Sequence, residues 1–172
     1  MEVKIRELIK VLNEELKAYQ AMLKFSKEKG EAIKDKNLDT VAKLTAEEEV
    51  VLKEILTLEK QRIGILQELL KEEITEDSQI NVSKILEKVS DESLKKELNK
   101  VKEDLKNTIE ELKIVNTANE KMIKDTLEII NYSFKLISKV TGEAATYSKD
   151  KIKGKDSKSL LSQQSMIFDK KF

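Results

Sequence analysis

Apolar side chains near the start of the chain recur at alternating steps of four and three residues. The series is Ile5, Ile9, Leu12, Leu16, Tyr19 and Leu23. At 3.6 residues per turn, this spacing places the side chains on one face of a helix. We predict a first helix from Val3 to about Lys29, interrupted or loosened at Gly30, with an extension through Ala32 and Ile33 as the alternative. The polar run KDKN, 34–37, predicts a turn.

A second apolar series begins near Leu38 and keeps the same alternation over more than four heptads. Its members are Val41, Leu44, Glu48, Val51, Ile55, Leu58, Arg62, Ile65 and Leu69. The strict three-and-four spacing is typical of a coiled-coil seam. Two charged residues, Glu48 and Arg62, interrupt the otherwise apolar seam of this second helix.

The segment ITEDSQIN, 74–81, breaks the pattern with residues that favour turns and caps. NVSKILEKVS, 81–90, predicts a short helix, after which Ser90 or Asp91 caps a third long helix.

The third long helix has the most regular seam in the chain: Leu94, Leu98, Val101, Leu105, Thr108, Leu112, Val115, Asn119, Met122, Thr126, Ile129, Ser133, Leu136 and Val140. A helix from Asp91 to Val140 would be roughly 75 Å long.

A second stripe runs beside this seam in the later part of the third helix. It comprises Ile109, Leu112, Asn116, Asn119, Ile123, Ile130, Phe134 and Ile137. A two-helix contact needs only a narrow seam, whereas a helix with two adjacent stripes is normally flanked by two neighbours. We therefore expect one neighbour of this helix to be supplied by another protein.

These patterns predict an all-α fold: an elongated antiparallel helical bundle or coiled coil of three long helices. The bundle domain covers residues 1–142, and residues 143–172 form a flexible C-terminal tail. TYSKDKIKGKDSKS, 146–159, is too polar to bury a core. In LLSQQSMIF, 160–168, the spacing of Leu160, Leu161, Gln164, Ile167 and Phe168 is compatible with a short amphipathic helix.

Composition excludes several classes of function. Thirty-three basic and thirty-three acidic residues cancel and are interleaved along the chain, so nucleic-acid binding is not expected. The chain contains no cysteine and no histidine, which removes thiolate and imidazole chemistry and most transition-metal sites. The acidic run 47–49 is interpreted as solvated helix surface. We predict a protein that is not an enzyme and has no cofactor or metal.

No stretch of the chain approaches the roughly 20 consecutive apolar residues that cross a bilayer. The first ten residues, MEVKIRELIK, alternate charged and apolar side chains and lack the apolar core of a signal peptide. The sequence therefore predicts a cytoplasmic protein that does not insert into membranes.

Arg62 on the second seam has Glu59 three residues before it, close enough on a helix to form an ion pair. One interpretation is that the Arg62 stem covers neighbouring leucines while its guanidinium reaches water. The other is that Glu59 and Arg62 fix helix register or hold an acidic partner.

Asn116 and Asn119 also allow two interpretations. A single polar residue on a seam can specify helix register at a cost in stability. Two asparagines, followed by Thr126 and Ser133, are more than register requires. The alternative is a binding surface, with the amides bonding a partner and an adaptable apolar face formed by Met122, Ile123, Leu127, Ile130 and Phe134.

Four segments together resemble the FlgN family of flagellar export chaperones over nearly the whole chain. They are LTLEKQRIGILQELL (56–70), VNTANEKMIKDTLEIIN (115–131), TYSKD (146–150) and IFDKKF (167–172). The resemblance implies an all-helical chaperone that binds the C-terminal helices of hook-associated (hook-filament junction) proteins. It further implies that the chaperone keeps these clients unassembled and delivers them to the type III export gate.

Carried onto this sequence, the resemblance places client binding on the late part of the third helix. The expected client-binding residues are Asn116, Asn119, Met122, Ile123, Thr126, Leu127, Ile130, Phe134 and Ile137. Tyr147 corresponds to the tail tyrosine that contacts the cytoplasmic domain of the export gate. The chaperone hypothesis expects a monomer or a weak homodimer. The competing hypothesis is a coiled-coil structural or adaptor protein that homo-oligomerises through its third helix.

Overall fold

The structure is a computed structural model that describes residues 1–70 and 82–141, with side chains through residue 137. Within these residues the chain forms four helices and no strand: α1 (Glu2–Lys34), α2 (Leu38–Leu70), α3 (Val82–Lys88) and α4 (Glu92–Thr141). The all-α class is confirmed. The predicted break at 74–81 and the predicted tail, 143–172, lie outside the described residues.

Helix α1 is not interrupted at Gly30; it continues through Ala32 and Ile33, the alternative that the sequence left open, to Lys34. A three-residue turn then stops the helix: the Asn37 amide donates to the Ala32 carbonyl at 2.9 Å, and the Lys36 amide donates to the Ile33 carbonyl at 3.1 Å. Lys36 adopts the left-handed conformation that such a stop requires, with φ of 55°. Gly30 is buried within the helix, and its lack of a side chain serves packing.

Caps explain where α2 and α4 begin. The side-chain oxygen of Asn37 accepts a hydrogen bond from the Thr40 amide at 3.1 Å. Asp91 accepts hydrogen bonds from the Ser93 amide at 2.8 Å and the Leu94 amide at 3.2 Å. Each cap satisfies amides that the first turn of a helix leaves without a partner. Of the two residues that the sequence offered as the α4 cap, the structure uses Asp91.

Helix α1 packs against both of the other long helices. Later residues of α1 contact earlier residues of α2: Lys4 pairs with Glu68 at 2.9 Å, and Ser26 pairs with Glu48 at 2.7 Å. These two helices therefore run in opposite directions. The core lies along this contact and along the early half of α4, and its innermost members are Leu8, Leu12, Met22, Ile55, Leu98, Leu105 and Leu112.

Helices α1 and α4 run in the same direction, because later residues of α1 contact later residues of α4. Near the start of both helices, Ile5 and Val89 line one shallow depression. Towards the end of α1, Lys27 pairs with Glu111 at 2.6 Å, and Ser26 contacts Asn119. Helix α4 has 50 residues and α1 has 33. A helix that starts level with a shorter one must extend beyond its end.

Candidate functional site

One straight stripe of side chains runs along α4 from the core to its far end. At 100° per residue, the buried positions and several later apolar positions fall within a narrow sector of the helix. The sector contains Leu94, Leu98, Val101, Leu105, Ile109, Leu112, Asn116, Asn119, Ile123, Leu127, Ile130, Phe134 and Ile137. The sequence-predicted surface is thus a direct continuation of the buried seam of α4.

Burial along this stripe changes at Asn119. Leu112 is fully buried and Asn119 is 5% exposed, whereas Ile123, Leu127 and Ile130 are 41%, 47% and 44% exposed. No residue of α4 from 120 to 137 is buried. The apolar character of the helix therefore persists where its burial by α1 stops.

The length of α1 explains where burial stops. Asn119 contacts Ser26 and approaches Gly30. In the same register Lys34, the last residue of α1, lies level with Ile123 to Leu127. The remaining 14 to 18 residues of α4 project past the end of α1 by roughly 21–27 Å at 1.5 Å per residue. The two half-buried predicted residues, Met122 and Thr126, lie at the base of this projection.

Asn119 faces inward and bonds to α1. Its Nδ2 donates to the backbone oxygen of Ser26 at 2.7 Å. A Cβ atom added to Gly30 would lie 2.6 Å from Asn119 Oδ1, so the glycine allows the amide to fit against α1. Of the two interpretations offered for Asn119, this contact is the one expected for a residue that sets helix register.

The Asn119 contact continues into α2 through Ser26 and Glu48. The Ser26 hydroxyl donates to Glu48 Oε1 at 2.7 Å, and Lys29 forms an ion pair with the other Glu48 oxygen. We call Ser26, Lys29, Gly30, Glu48 and Asn119 the polar clamp. Glu48 is 6% exposed, so the interpretation of residues 47–49 as solvated surface is wrong for Glu48. A buried carboxylate is tolerated here because it has a hydroxyl donor and a cation.

Sequence reasoning missed the clamp as a unit, although signals for it were present. Glu48 occupies a heptad seam position, which is unusual for a carboxylate. Ser26 and Gly30 lie four residues apart in the first helix and so share a face with each other. Nothing in the sequence indicates that these residues meet Asn119, which is 93 positions away from Ser26.

The other asparagine, Asn116, is half-buried on the same stripe. Phe134 and Ile137 are 57% and 59% exposed towards the end of the projection. The Thr126 hydroxyl donates to the Met122 carbonyl of its own helix at 2.8 Å. Together with Ile123, Leu127 and Ile130, these residues place the predicted client-binding set on one region of α4. Tyr147 lies outside the described residues.

A second buried polar group lies midway along the contact of α1 with α2. Arg62 Nε is 3.4 Å from Glu15 Oε1, and Arg62 Nη2 is 3.4 Å from Glu59 Oε1. Arg62 is only 9% exposed, so its guanidinium lies between carboxylates and does not reach out to water. Burial raises the pKa of the nearby Tyr19 hydroxyl well above its usual range, and the negative charges of Glu59 and Glu15 raise it further.

Neither a metal-binding cluster nor a membrane-spanning helix occurs in the part of the chain that the structure describes. Across 1–70 and 82–141, acidic side chains do not gather in groups of three that would hold a metal ion. None of the four helices has an apolar stretch long enough to span a bilayer. What the described part of the chain offers is an apolar helix surface held in a fixed register by buried polar contacts.

Comparison with known proteins identifies a family for this chain. The model of the FlgN protein family matches residues 1–153. No curated protein and no solved structure matches the chain. The matched range includes all four helices and the whole projecting stripe of α4.

Proposed function

The chain belongs to the FlgN family, and from this membership we propose that it chaperones the C-terminal helices of hook-associated proteins in the cytoplasm. Family membership supports a flagellar chaperone role and the binding of hook-associated proteins, and FlgN proteins are chaperones, not enzymes. The proposal adds the surface that binds the client and the delivery of that client to the export gate. It also takes the three long helices to form an elongated bundle in which α2 runs antiparallel to α1 and α4.

The observation that supports this surface best is the exposed continuation of the α4 stripe. Ile123, Leu127 and Ile130 repeat the spacing by which Leu105, Ile109 and Leu112 pack into the core. Spacing of this kind accepts another helix, because side chains three and four residues apart form a continuous ridge. A client helix would therefore occupy, along the projection, the position that α1 occupies along the bundle.

The magnitude of the contact suits a chaperone. A client helix that removes about 600 Å² of apolar area from water gains roughly 15 kcal/mol before any cost is counted. Ordering a disordered client segment and losing its free translation offset much of this gain. The resulting affinity is micromolar to nanomolar. Binding in this range protects a client from premature assembly and still permits release for export.

Residues at the base of the projection differ in role from those along it. Asn119 holds α4 to α1 through its amide, and Asn116 lies beside it on the stripe. Met122 and Thr126 flank the point where the stripe becomes exposed. We propose that Ile123, Leu127 and Ile130 form the centre of the client-binding surface, with Phe134 and Ile137 extending it.

A charge placed at Ile130 tests the surface, and the chain offers a matched control on the same helix. Ile114 is 70% exposed and lies about 160° around α4 from Ile130. The change Ile130→Asp should weaken binding of a C-terminal hook-associated peptide by about 10- to 100-fold, because it places a carboxylate in an apolar contact. The change Ile114→Asp should leave the affinity unaltered.

Isothermal titration with the peptide, together with sedimentation of the free protein, measures both expectations. Equal affinities for the two variants would show that the client binds elsewhere. A stable homo-oligomer that ignores the peptide would favour the structural adaptor hypothesis instead.

Delivery to the export gate is the second part of the proposal, and it assigns docking to Tyr147. A Tyr147→Ala variant should keep its affinity for the client peptide and lose binding to the cytoplasmic domain of the gate. Client and gate binding would then depend on separate parts of the chain. Loss of both activities in this variant would contradict that separation.

A further inference from the structure

The stripe of α4 is exposed in the absence of a client. Ile123, Leu127 and Ile130 are each more than 40% exposed and lie next to one another on one helix face. Contiguous apolar surface of this kind marks an interaction site and is a liability for aggregation when uncovered. We propose that residues 160–168, LLSQQSMIF, bind this stripe within the same molecule and are displaced by the client.

The segment carries apolar residues at a helical spacing that partly repeats that of the stripe. Leu160 and Ile167 are seven residues apart, as are Ile123 and Ile130, and Gln164 stands where the stripe has Leu127. Leu161 and Phe168 widen the apolar side of the segment. Two helical faces with the same spacing can interdigitate along their length. The segment is too short for a stable isolated helix, so it gains helix only by packing.

The connecting chain has a suitable length. Residues 142–159 separate the end of α4 from the segment, and a chain of 18 residues can span at most about 60 Å. Ile130 lies 11 residues before Thr141, which is about 17 Å along the helix. The segment therefore reaches the middle of the stripe without stretching the connection.

Linkage within one molecule favours this occupant over a second copy of the chain. A segment joined by a connection of this length experiences an effective concentration of about 1 mM. A second copy at micromolar concentration must bind roughly a thousandfold more tightly to compete equally. The family match also ends at residue 153, so the segment lies beyond the range that the family model describes.

Cysteine cross-linking tests the contact without any client, because the natural sequence contains no cysteine. One variant combines Ile130→Cys with Leu161→Cys. The control combines Tyr132→Cys with Leu161→Cys, since Tyr132 is 64% exposed and lies about 160° around the helix from Ile130. The two pairs have almost the same connecting length. Under mild oxidation, the first pair should form an intramolecular disulfide at least about tenfold faster.

Rates are read from non-reducing gels and intact mass. Equal rates for the two pairs would overturn the proposal, because an unbound segment samples both sides of α4 alike. A predominantly dimeric product would also overturn it and would assign the stripe to a second copy.

Competition with the client rests on the proposed function and needs its own measurement. Leu161→Asp and Phe168→Asp should each raise the affinity for the client peptide about 3- to 10-fold, because the stripe is then open more of the time. If the segment binds as a helix, Ser162 lies opposite its apolar residues. The change Ser162→Asp should therefore leave the affinity unchanged. Unchanged affinity in all three variants would overturn the competition.

The cross-linking and affinity measurements distinguish failure of the proposed function from failure of the internal contact. A selective cross-link in a protein that binds no client would refute the proposed function and leave the internal contact standing. Normal client binding without a selective cross-link would refute the internal contact alone.

Discussion

Asn119 Nδ2 on α4 lies 2.7 Å from the backbone oxygen of Ser26 on α1, and this hydrogen bond joins positions 93 residues apart. It occurs at the last buried position among the described side chains of α4. On the core side of Asn119 the stripe packs against α1, and on the other side the same stripe is exposed. The bond thus fixes both the register of α4 and the point at which its apolar face becomes available.

Removing the Asn119 amide should destabilise the protein without unfolding it. Asn119→Ala loses one buried hydrogen bond, which contributes about 1 kcal/mol to the free energy of unfolding, and leaves a small void. Urea denaturation should show a loss of about 1–2 kcal/mol. Asn107→Ala, at an exposed position on the same helix, is the matched control and should change stability by less than about 0.5 kcal/mol. A loss as large in the control would indicate a general effect on α4.

The two glycines within helices should respond oppositely to alanine. Gly64 has open space around it, so Gly64→Ala should stabilise α2 by about 0.5–1 kcal/mol. At Gly30 the added methyl group would meet Asn119 Oδ1 at 2.6 Å, so Gly30→Ala should be neutral or destabilising.

A double-mutant cycle isolates the contact of Gly30 with Asn119. In the Asn119→Ala background the obstruction is gone, and Gly30→Ala should then stabilise the protein as Gly64→Ala does. Thermal and urea unfolding of the four proteins measures the coupling. Additive effects would show that the two residues do not meet in solution.

Arg62 should be far more important to stability than the exposed cations. Arg62→Met would leave Glu15 and Glu59 buried beside each other without their cation, at a cost of about 3–5 kcal/mol. Replacing Glu15 by Leu in the same protein should recover a large part of that loss. Lys4→Met breaks an exposed pair with Glu68 and should have little effect on the free energy of unfolding. An equally small effect at Arg62 would contradict the buried pairing.

Tyr19 should make stability fall at high pH. Its pKa is raised in the folded protein by burial and by neighbouring carboxylates, while in the unfolded chain it ionises near pH 10. Above about pH 10 the unfolded state therefore loses a proton that the folded state retains. The free energy of unfolding therefore falls by up to about 1.4 kcal/mol per pH unit above pH 10. Below pH 10 the contribution of protonated Tyr19 to stability is fully present.

The comparison of two tyrosines separates this effect from lysine titration. Tyr19→Phe should flatten the decline in unfolding free energy between about pH 10 and 11.5, and Tyr132→Phe should not, because Tyr132 is exposed. Urea denaturation at several pH values gives the slopes. Parallel slopes for both variants and the natural protein would show that Tyr19 is not shielded.

Periodicity predicted most of the secondary structure because helices repeat every 3.6 residues and leave that spacing in the sequence. The α2 range and the short α3 were predicted within a few residues. For the end of α1 periodicity allowed two positions, because Gly30 has the signature of a helix stop. Its actual role depends on the approach of Asn119, a partner that no local pattern specifies.

The polar residues on the helix seams were also visible in the sequence, while their contacts depended on the packing of the helices. Glu48, Arg62 and Asn119 were recognisable as exceptions, since charges and amides are rare at such positions. Whether each reaches water or a buried partner depends on the residue opposite, which is set by how the helices align. The structure places Ser26 and Lys29 at Glu48, and Glu15 at Arg62.

By itself, the sequence determined that this protein is helical, that α4 carries apolar character along almost its whole length, and that no cysteine or histidine chemistry is available. Only the tertiary structure decided which part of that apolar stripe is core and which part is surface. The reason is the relative length and register of two helices: α1 ends at Lys34 while α4 continues to Thr141. Burial of a side chain depends on the neighbouring helix, and the periodicity of α4 does not reveal where α1 ends.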